Sequence, residues 1–258
     1  MLVLAHRGCP SPRRPENSVA AMTAALAGPA DGVEVDVRLS ADGVLVCSHD
    51  RDLIRLSGQP LCVSCSTSAE LRRVALAGGH RMATLDEVLA AVGGFRGARV
   101  VVEAKPVPSA DAALRTAQSL CRALDRAGSG IDVTVSSFDP TLLGVIRSTL
   151  HRRGATAAVR SALLGRPADC AETLLRRTVD AGHDELHPHL SSLVRAAHTV
   201  GVAHSLGASV TCWTVNRRSH VRRLAHLGVD AVISDRPAAA RATLAGTRTL
   251  AQRSFAGL

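Results

Sequence analysis

Short runs of aliphatic and β-branched residues alternate along this chain with longer stretches in which apolar positions recur every three or four residues. The short runs predict strands at 2–7, 33–39, 99–105, 132–138, 156–161, 185–188, 209–215 and 231–235. The longer stretches predict helices near 17–27, 84–92, 110–127, 140–152, 168–181, 191–206 and 218–227. Asp139-Pro140 sets a capping residue before a proline at the first helical position, and Gly128, Gly182, Gly207 and Gly228 each stand where a helix must end. The stretch from 238 to 258 reads as a closing helix with a frayed end. Strand and helix in repeated alternation argue for a parallel sheet. At 258 residues, the simplest closure is an α/β fold of the (β/α)₈ TIM-barrel type, a single domain over 1–258. An open doubly wound sheet is the architectural rival.

One connection breaks the alternation. After the second strand, Ser40-Ala41-Asp42-Gly43 leads straight into another apolar run, and Asp-Gly between two such runs predicts a β-hairpin. Pairing Leu39 with Val44 would set Glu34 opposite His49. A short irregular insertion, 50–83, then separates the hairpin from the next helix.

Composition narrows the class. The chain is 46% hydrophobic but only 2% aromatic, so Ala, Val and Leu must fill the core. No apolar run reaches the roughly 18 residues that a membrane span requires, and Met1–Arg7 lacks a basic leader, so a cytoplasmic protein is expected. The seven cysteines include one close pair, Cys62-x-x-Cys65, with no second pair to complete a zinc site, and free thiols are expected. A formal charge of +9 raises a nucleic-acid reading. Against it, the arginines lie scattered in pairs on helical stretches, without interleaved aromatics to stack on bases. Solvated helix faces are the better account, and no nucleic-acid partner is expected.

The strand ends carry the chemistry. The first ends in His6-Arg7-Gly8. Glu34 and Asp36 stand two apart on the second and share one face, with Val33, Val35 and Val37 on the other. Glu103 and Lys105 repeat the arrangement on the third. Charged groups aimed into a barrel are costly unless paired or metal-bound. Three facing carboxylates would also raise one another's pKa, and a hard cation with a preference for oxygen ligands resolves both problems. The C-terminal ends of the strands are where this fold places its active sites.

These residues also carry a resemblance. His6-Arg7-Gly8, Pro15-Glu16-Asn17-Ser18, Glu34-Val-Asp36 and Asp42-Gly43-x-x-Val46-x-x-His49-Asp50 resemble the glycerophosphodiester phosphodiesterase family in order and spacing. Thr84–Leu89, Glu103-x-Lys105, Ser136-Ser137-Phe138, His187-Pro188, Trp213–Asn216 and Ser234-Asp235-x-Pro237 continue it over nearly the whole chain.

The resemblance implies one divalent cation, Mg²⁺ or Ca²⁺, on Glu34, Asp36 and Glu103, with His6 and His49 as the catalytic pair. Either histidine can be the base, and the nucleophile is water or a neighbouring glycerol hydroxyl. It further implies that Arg7 holds a phosphate oxygen, that Glu16 lies near His6 and orients it, and that Lys105 reaches the phosphate or a substrate hydroxyl. Trp213 would line the pocket for glycerol. The substrate would be a small glycerophosphodiester, cleaved to sn-glycerol 3-phosphate and an alcohol. A lysophospholipase D-like activity on the same scaffold and a non-catalytic phosphate- or nucleic-acid-binding barrel are the alternatives. The segment Arg51–Ser68 departs from the family pattern, and so do the residues expected to shape substrate entry. His189 is expected to be peripheral.

Overall fold

The computed structural model describes residues 1–128, 130–154 and 159–255, with the side chains of 247–255 left aside. Among these residues eight parallel strands close into a barrel. They are β1 (Leu2–Ala5), β2 (Gly32–Leu39), β3 (Arg99–Ala104), β4 (Asp132–Ser137), β5 (Val159–Leu164), β6 (Glu185–His187), β7 (Ser209–Cys212) and β8 (Ala231–Ser234). Closure is direct: β1 pairs with β8 from Leu2 opposite Ala231 to Ala5 opposite Ser234, and with β2 through Leu4 opposite Gly32. The open doubly wound alternative is thereby excluded. No helix among the described residues is long and apolar enough to cross a membrane.

The two faces of each strand have separate duties. Val33, Val35 and Val37 of β2, Val100 and Val102 of β3, and Val133 and Val135 of β4 join the main core beneath the helices. The barrel interior holds only a small apolar patch of Leu4, Val101, Ala231 and Ile233. Two charged layers flank that patch. Toward the N-terminal ends of the strands, Arg99 and Arg160 both reach Glu185, Thr134 donates to the same oxygen at 3.0 Å, and His187 Nε2 lies 3.0 Å from the other. Toward the C-terminal ends lie Glu34, Asp36 and Glu103.

The hairpin forms, but one residue out of the expected register. Leu39 faces Leu45 and Val37 faces Cys47, so Glu34 is not opposite His49. Ser40 takes Val44 as its partner: its N–H donates to the Val44 carbonyl at 2.9 Å, and its hydroxyl accepts from the Val44 N–H at 3.0 Å. A one-residue slip would turn every hairpin side chain over. The observed register keeps Leu45 and Cys47 in the main core with Leu39 and Val37. The segment that follows builds a small core of its own from Leu53, Val63, Leu71, Val74, Leu76 and Met82, packed on Val46.

Three other boundaries differ. The fifth strand, expected at 156–161, is Val159–Leu164, because the run continues through Ala162–Leu164; residues 156–158 lie outside the described ones. The seventh stops at Cys212, and beyond it Trp213 keeps only an isolated parallel bridge to His189, its N–H on the Pro188 carbonyl. The stretch 191–206 is two helices, Leu190–Arg195 and Thr199–Ser205, separated at a non-helical Ala196.

The lower charged layer makes a stability prediction. Burial alone would raise the Glu185 carboxyl, but the His187 hydrogen bond and the charges of Arg99 and Arg160 outweigh it and bring it down to about 2. A depressed acid stabilises the fold above its unfolded pKa and loses that contribution as pH falls toward its folded one. Resistance to urea should therefore fall from about pH 4.3 downward to about 2. Glu185→Gln should lower stability at pH 7 by about 3–5 kcal/mol, since it leaves buried Arg99 without its counter-charge. An unchanged urea midpoint in the variant would show that the layer is idle.

Candidate active site

The site begins with the turn after β1. Arg7 adopts a left-handed φ of 54°, and Gly8 follows at 80°. A Cβ on Gly8 would lie 2.6 Å from the Ala21 carbonyl carbon, so only glycine lets the helix Val19–Leu26 pack this close. A left-handed arginine costs of order 1–3 kcal/mol. The cost is met by contacts with the site itself. The Arg7 N–H donates to Glu34 Oε2 at 3.0 Å, and the Arg7 carbonyl accepts from the Asn17 N–H at 3.1 Å. Asn17, expected to open the helix, is instead left-handed at φ 57°, and Ser18 caps the helix. That geometry lets the Asn17 amide donate to Asp36 Oδ2 at 2.8 Å and accept from the Asp36 N–H at 3.0 Å.

Glu34, Asp36 and Glu103 converge, each offering an oxygen within 4.8 Å of the others. All three are buried. Lys105 Nζ lies 2.6 Å from Asp36 Oδ1 and also bonds Glu103, while Arg7 Nε lies 3.1 Å from Asp36 Oδ2. These cations do not balance the cluster evenly. Burial pushes Asp36 up, but Lys105 and Arg7 outweigh it and hold it below the usual carboxylate range. Burial and the neighbouring Asp36 push Glu34 up to about 8. Burial also raises Glu103. Glu34 Oε1 is buried without a hydrogen-bond partner. An oxygen-only donor set with an orphaned oxygen and a strained negative charge fits a hard divalent cation.

Each histidine is backed by a carboxylate. His6 Nδ1 lies 2.6 Å from Asp235 Oδ1, and its Nε2 is 4.0 Å from Glu34 Oε2. Burial pulls the His6 pKa down, but the Asp235 hydrogen bond and the Glu34 charge outweigh it and raise it above the ordinary imidazole. His49 Nδ1 lies 2.8 Å from Asp50 Oδ1, yet burial dominates there and lowers its pKa. Although the hairpin register differs, Arg38 Nε and Nη2 donate to the His49 carbonyl at 3.0 and 2.8 Å and fix the turn that carries it.

An ion-pair chain links the support of His49 to Arg7, beside His6. Asp50 accepts from Arg55 Nε at 2.6 Å, Arg55 bonds both Glu16 oxygens at 2.9 and 2.6 Å, and Glu16 accepts from Arg7 Nη1 at 2.9 Å.

One cavity of about 560 Å³ gathers His6, Arg7, Glu34, His49, Glu103 and Lys105 on its wall. Trp213 and Phe138 form another part of that wall, edge to face with centroids 5.4 Å apart. Imidazoles beside a cation-ready acidic cluster, with a guanidinium and an apolar wall, can move protons at a phosphate ester and grip a short carbon chain.

Comparison with known proteins agrees. The profile of the Glycerophosphoryl diester phosphodiesterase family matches residues 6–239. The chain belongs to this family. A "Probable glycerophosphodiester phosphodiesterase 1" of Mycobacterium tuberculosis is 30% identical, covering 94% of this chain and 92% of its own. The structure of a glycerophosphodiester phosphodiesterase from Thermotoga maritima superposes with a TM-score of 0.73 at 26% identity, covering 92% of this chain and 95% of that one. An Oleispira antarctica phosphodiesterase, solved in complex with the product sn-glycerol-3-phosphate, has a TM-score of 0.81 at 24% identity, over 95% of this chain and 96% of that one. The second of these structures speaks to the fold alone.

As a glycerophosphoryl diester phosphodiesterase family member, the chain is a phosphoric diester hydrolase. Of the residues singled out from its sequence, His6, Arg7, Glu34, His49, Glu103, Lys105 and Trp213 line one cavity, and Asp36 and Glu16 lie behind it on Lys105 and Arg7, with one difference. Glu16 does not orient His6; it pairs with Arg7 and Arg55, and the partner of His6 is Asp235. His189 does not line the cavity, and its ring stands edge-on to Trp213 at 5.0 Å. Asn17, Arg55 and Phe138 were likewise not assigned a part from sequence, although Asn17, Phe138 and Asp235 fall within the quoted motifs.

Two predictions follow from the charges. In the metal-free protein, nuclear magnetic resonance should find His6 titrating above 6.5 and His49 below it, and Asp235→Asn should move His6 downward. A His6 value indifferent to that substitution would break the assigned pair. With the Glu34 carboxyl pushed up to about 8, entry of a divalent ion at pH 7 should release protons. Calorimetry in two buffers of different ionisation enthalpy reads their number, and a value near zero would contradict it.

Proposed function

We propose that this enzyme hydrolyses glycerophosphodiesters to sn-glycerol 3-phosphate and an alcohol, with Glu34, Asp36 and Glu103 as the ligands of one divalent cation, Mg²⁺ or Ca²⁺. His6 and His49 are the acid and base. The observation that carries this reading is the single cavity in which two carboxylate-backed imidazoles border the acidic cluster.

The two histidine environments divide the labour. A base needs a free lone pair near neutral pH. His49, lowered by burial and with Nδ1–H donated to Asp50, offers that lone pair at Nε2, so it takes the proton from the attacking oxygen. His6, raised by Asp235 and Glu34, keeps a proton for the departing alkoxide. Arg7 and Lys105 face the phosphate from the cavity wall, and Trp213 with Phe138 shields the glycerol carbons from water. Lys105 and Arg7 also offset part of the negative charge of the cluster, so their engagement with phosphate is coupled to its neutralisation. A bound divalent cation supplies the remaining neutralisation of charge on the phosphoryl oxygens.

Glycerol diester chemistry agrees with the description of the family and with the name of the mycobacterial relative. Many basic helix residues that raised a nucleic-acid reading are spent in local pairs, such as Arg72 with Glu87, Arg126 with Asp86 and Arg153 with Asp125.

The test separates acid from base. On alkyl diesters, His6→Ala and His49→Ala should each reduce turnover by about a hundredfold or more. On a diester with a nitrophenol leaving group, which needs no protonation, His6→Ala should recover most of its rate and His49→Ala should not. Recovery in the opposite variant would reverse the assignment, and near-normal alkyl turnover in both would end it. Chelation should abolish activity, with Mg²⁺ or Ca²⁺ restoring it.

A further inference from the structure

A second cavity, of about 530 Å³, adjoins the first across Lys105 and Pro106. Its wall brings together residues from three places in the chain: Arg38 on β2, Arg51 after the hairpin, and Arg115 on the helix Ala110–Ala127. With Lys105 they put four cationic side chains on its wall, and among the described residues lining it there is no carboxylate. Arg38 spends its N–H groups on the His49 carbonyl. Arg51 is exposed and has no ion-pair partner among the described residues. Arg115 has only an exposed helical neighbour, Asp111, at 3.2 Å, a kind of pair that contributes little and leaves the guanidinium available.

The other recess beside the mouth differs. It is about 390 Å³ and sets Arg166 and Arg177 against Asp139 and Asp169. Position matters as well. Trp213 follows β7, whereas the basic cavity opens between the ends of β2 and β3, across the barrel mouth. A diester with its glycerol against Trp213 would direct its other alcohol toward the basic cavity.

We infer that this cavity is the leaving-alcohol subsite and that it selects an alcohol bearing a second phosphate. Guanidinium groups recognise phosphate through paired N–H donors, and a cluster of them without competing carboxylates favours a doubly charged group over an uncharged or cationic one. The assignment rests on the hydrolase reading above, since that reading fixes which end of the substrate points here.

The experiment is equilibrium binding by calorimetry without turnover, in chelator, so that it reads the subsite apart from catalysis. The probes are glycerophosphoglycerol and the same diester carrying a terminal phosphomonoester. The wild-type protein should bind the phosphorylated probe at least tenfold more tightly, with a preference that shrinks as salt rises. Arg51→Ala or Arg115→Ala should remove most of that preference while leaving the affinity for glycerophosphoglycerol within twofold. Equal affinity of the wild-type protein for both probes, or a preference untouched in both variants, overturns the inference. Hydrolysis of glycerophosphoglycerol by the metal-loaded enzyme is scored separately. Turnover without a binding preference sinks the subsite and spares the hydrolase, whereas a preference without turnover sinks the hydrolase and with it the leaving-alcohol assignment.

Discussion

Three buried carboxylates facing one another at the mouth of a barrel set the terms for everything around them. Glu34, Asp36 and Glu103 cannot all remain charged in that space without compensation, and the protein supplies it in layers. Lys105 and Arg7 lean on Asp36, Asn17 holds it from the β1–α turn, and the Arg7 backbone is bent into a left-handed conformation to donate to Glu34. What these groups leave over is a carboxyl raised to about 8 with one oxygen unsatisfied. The repulsion that makes the cluster costly to fold is also what makes it receptive to a cation.

The same constraint organises the flanks. The two imidazoles differ because their surroundings do: His6 looks toward Glu34 and leans on Asp235, whereas His49 sits farther along the wall on a turn pinned by Arg38. The chain from Asp50 through Arg55 and Glu16 to Arg7 joins the turn that carries His49 to the first loop. Deeper in the barrel, Arg99 and Arg160 pair with Glu185 and hold its carboxyl down. In that layer two cations face one carboxylate, whereas at the mouth three carboxylates share Lys105 and Arg7.

Much of this could be seen in the sequence because it depends on local periodicity. Glu34 with Asp36, and Glu103 with Lys105, share a face for the simple reason that strands alternate, and the valines between them name the other face. The barrel could be anticipated from the alternation of elements. What stayed hidden depends on closure and register. His6 meets Asp235 across 229 positions only because β8 returns beside β1. Glu16 turns away from His6 because Arg55, delivered by an insertion with its own small core, lies nearer to it. The hairpin register turned on a single serine that pairs with Val44 through both its N–H and its hydroxyl. The basic cavity draws on a strand, a loop and a helix that no motif joins.

The central claim is that Lys105 and Arg7 only partly balance an acidic cluster whose full partner is a divalent ion. A crystal grown with Mn²⁺ and measured at the manganese absorption edge tests it most directly. The account predicts one anomalous peak bridging Glu34, Asp36 and Glu103, with Lys105 Nζ withdrawn from its bridge between Asp36 and Glu103. An empty cluster at saturating Mn²⁺, with Lys105 still bound to both carboxylates, would contradict it.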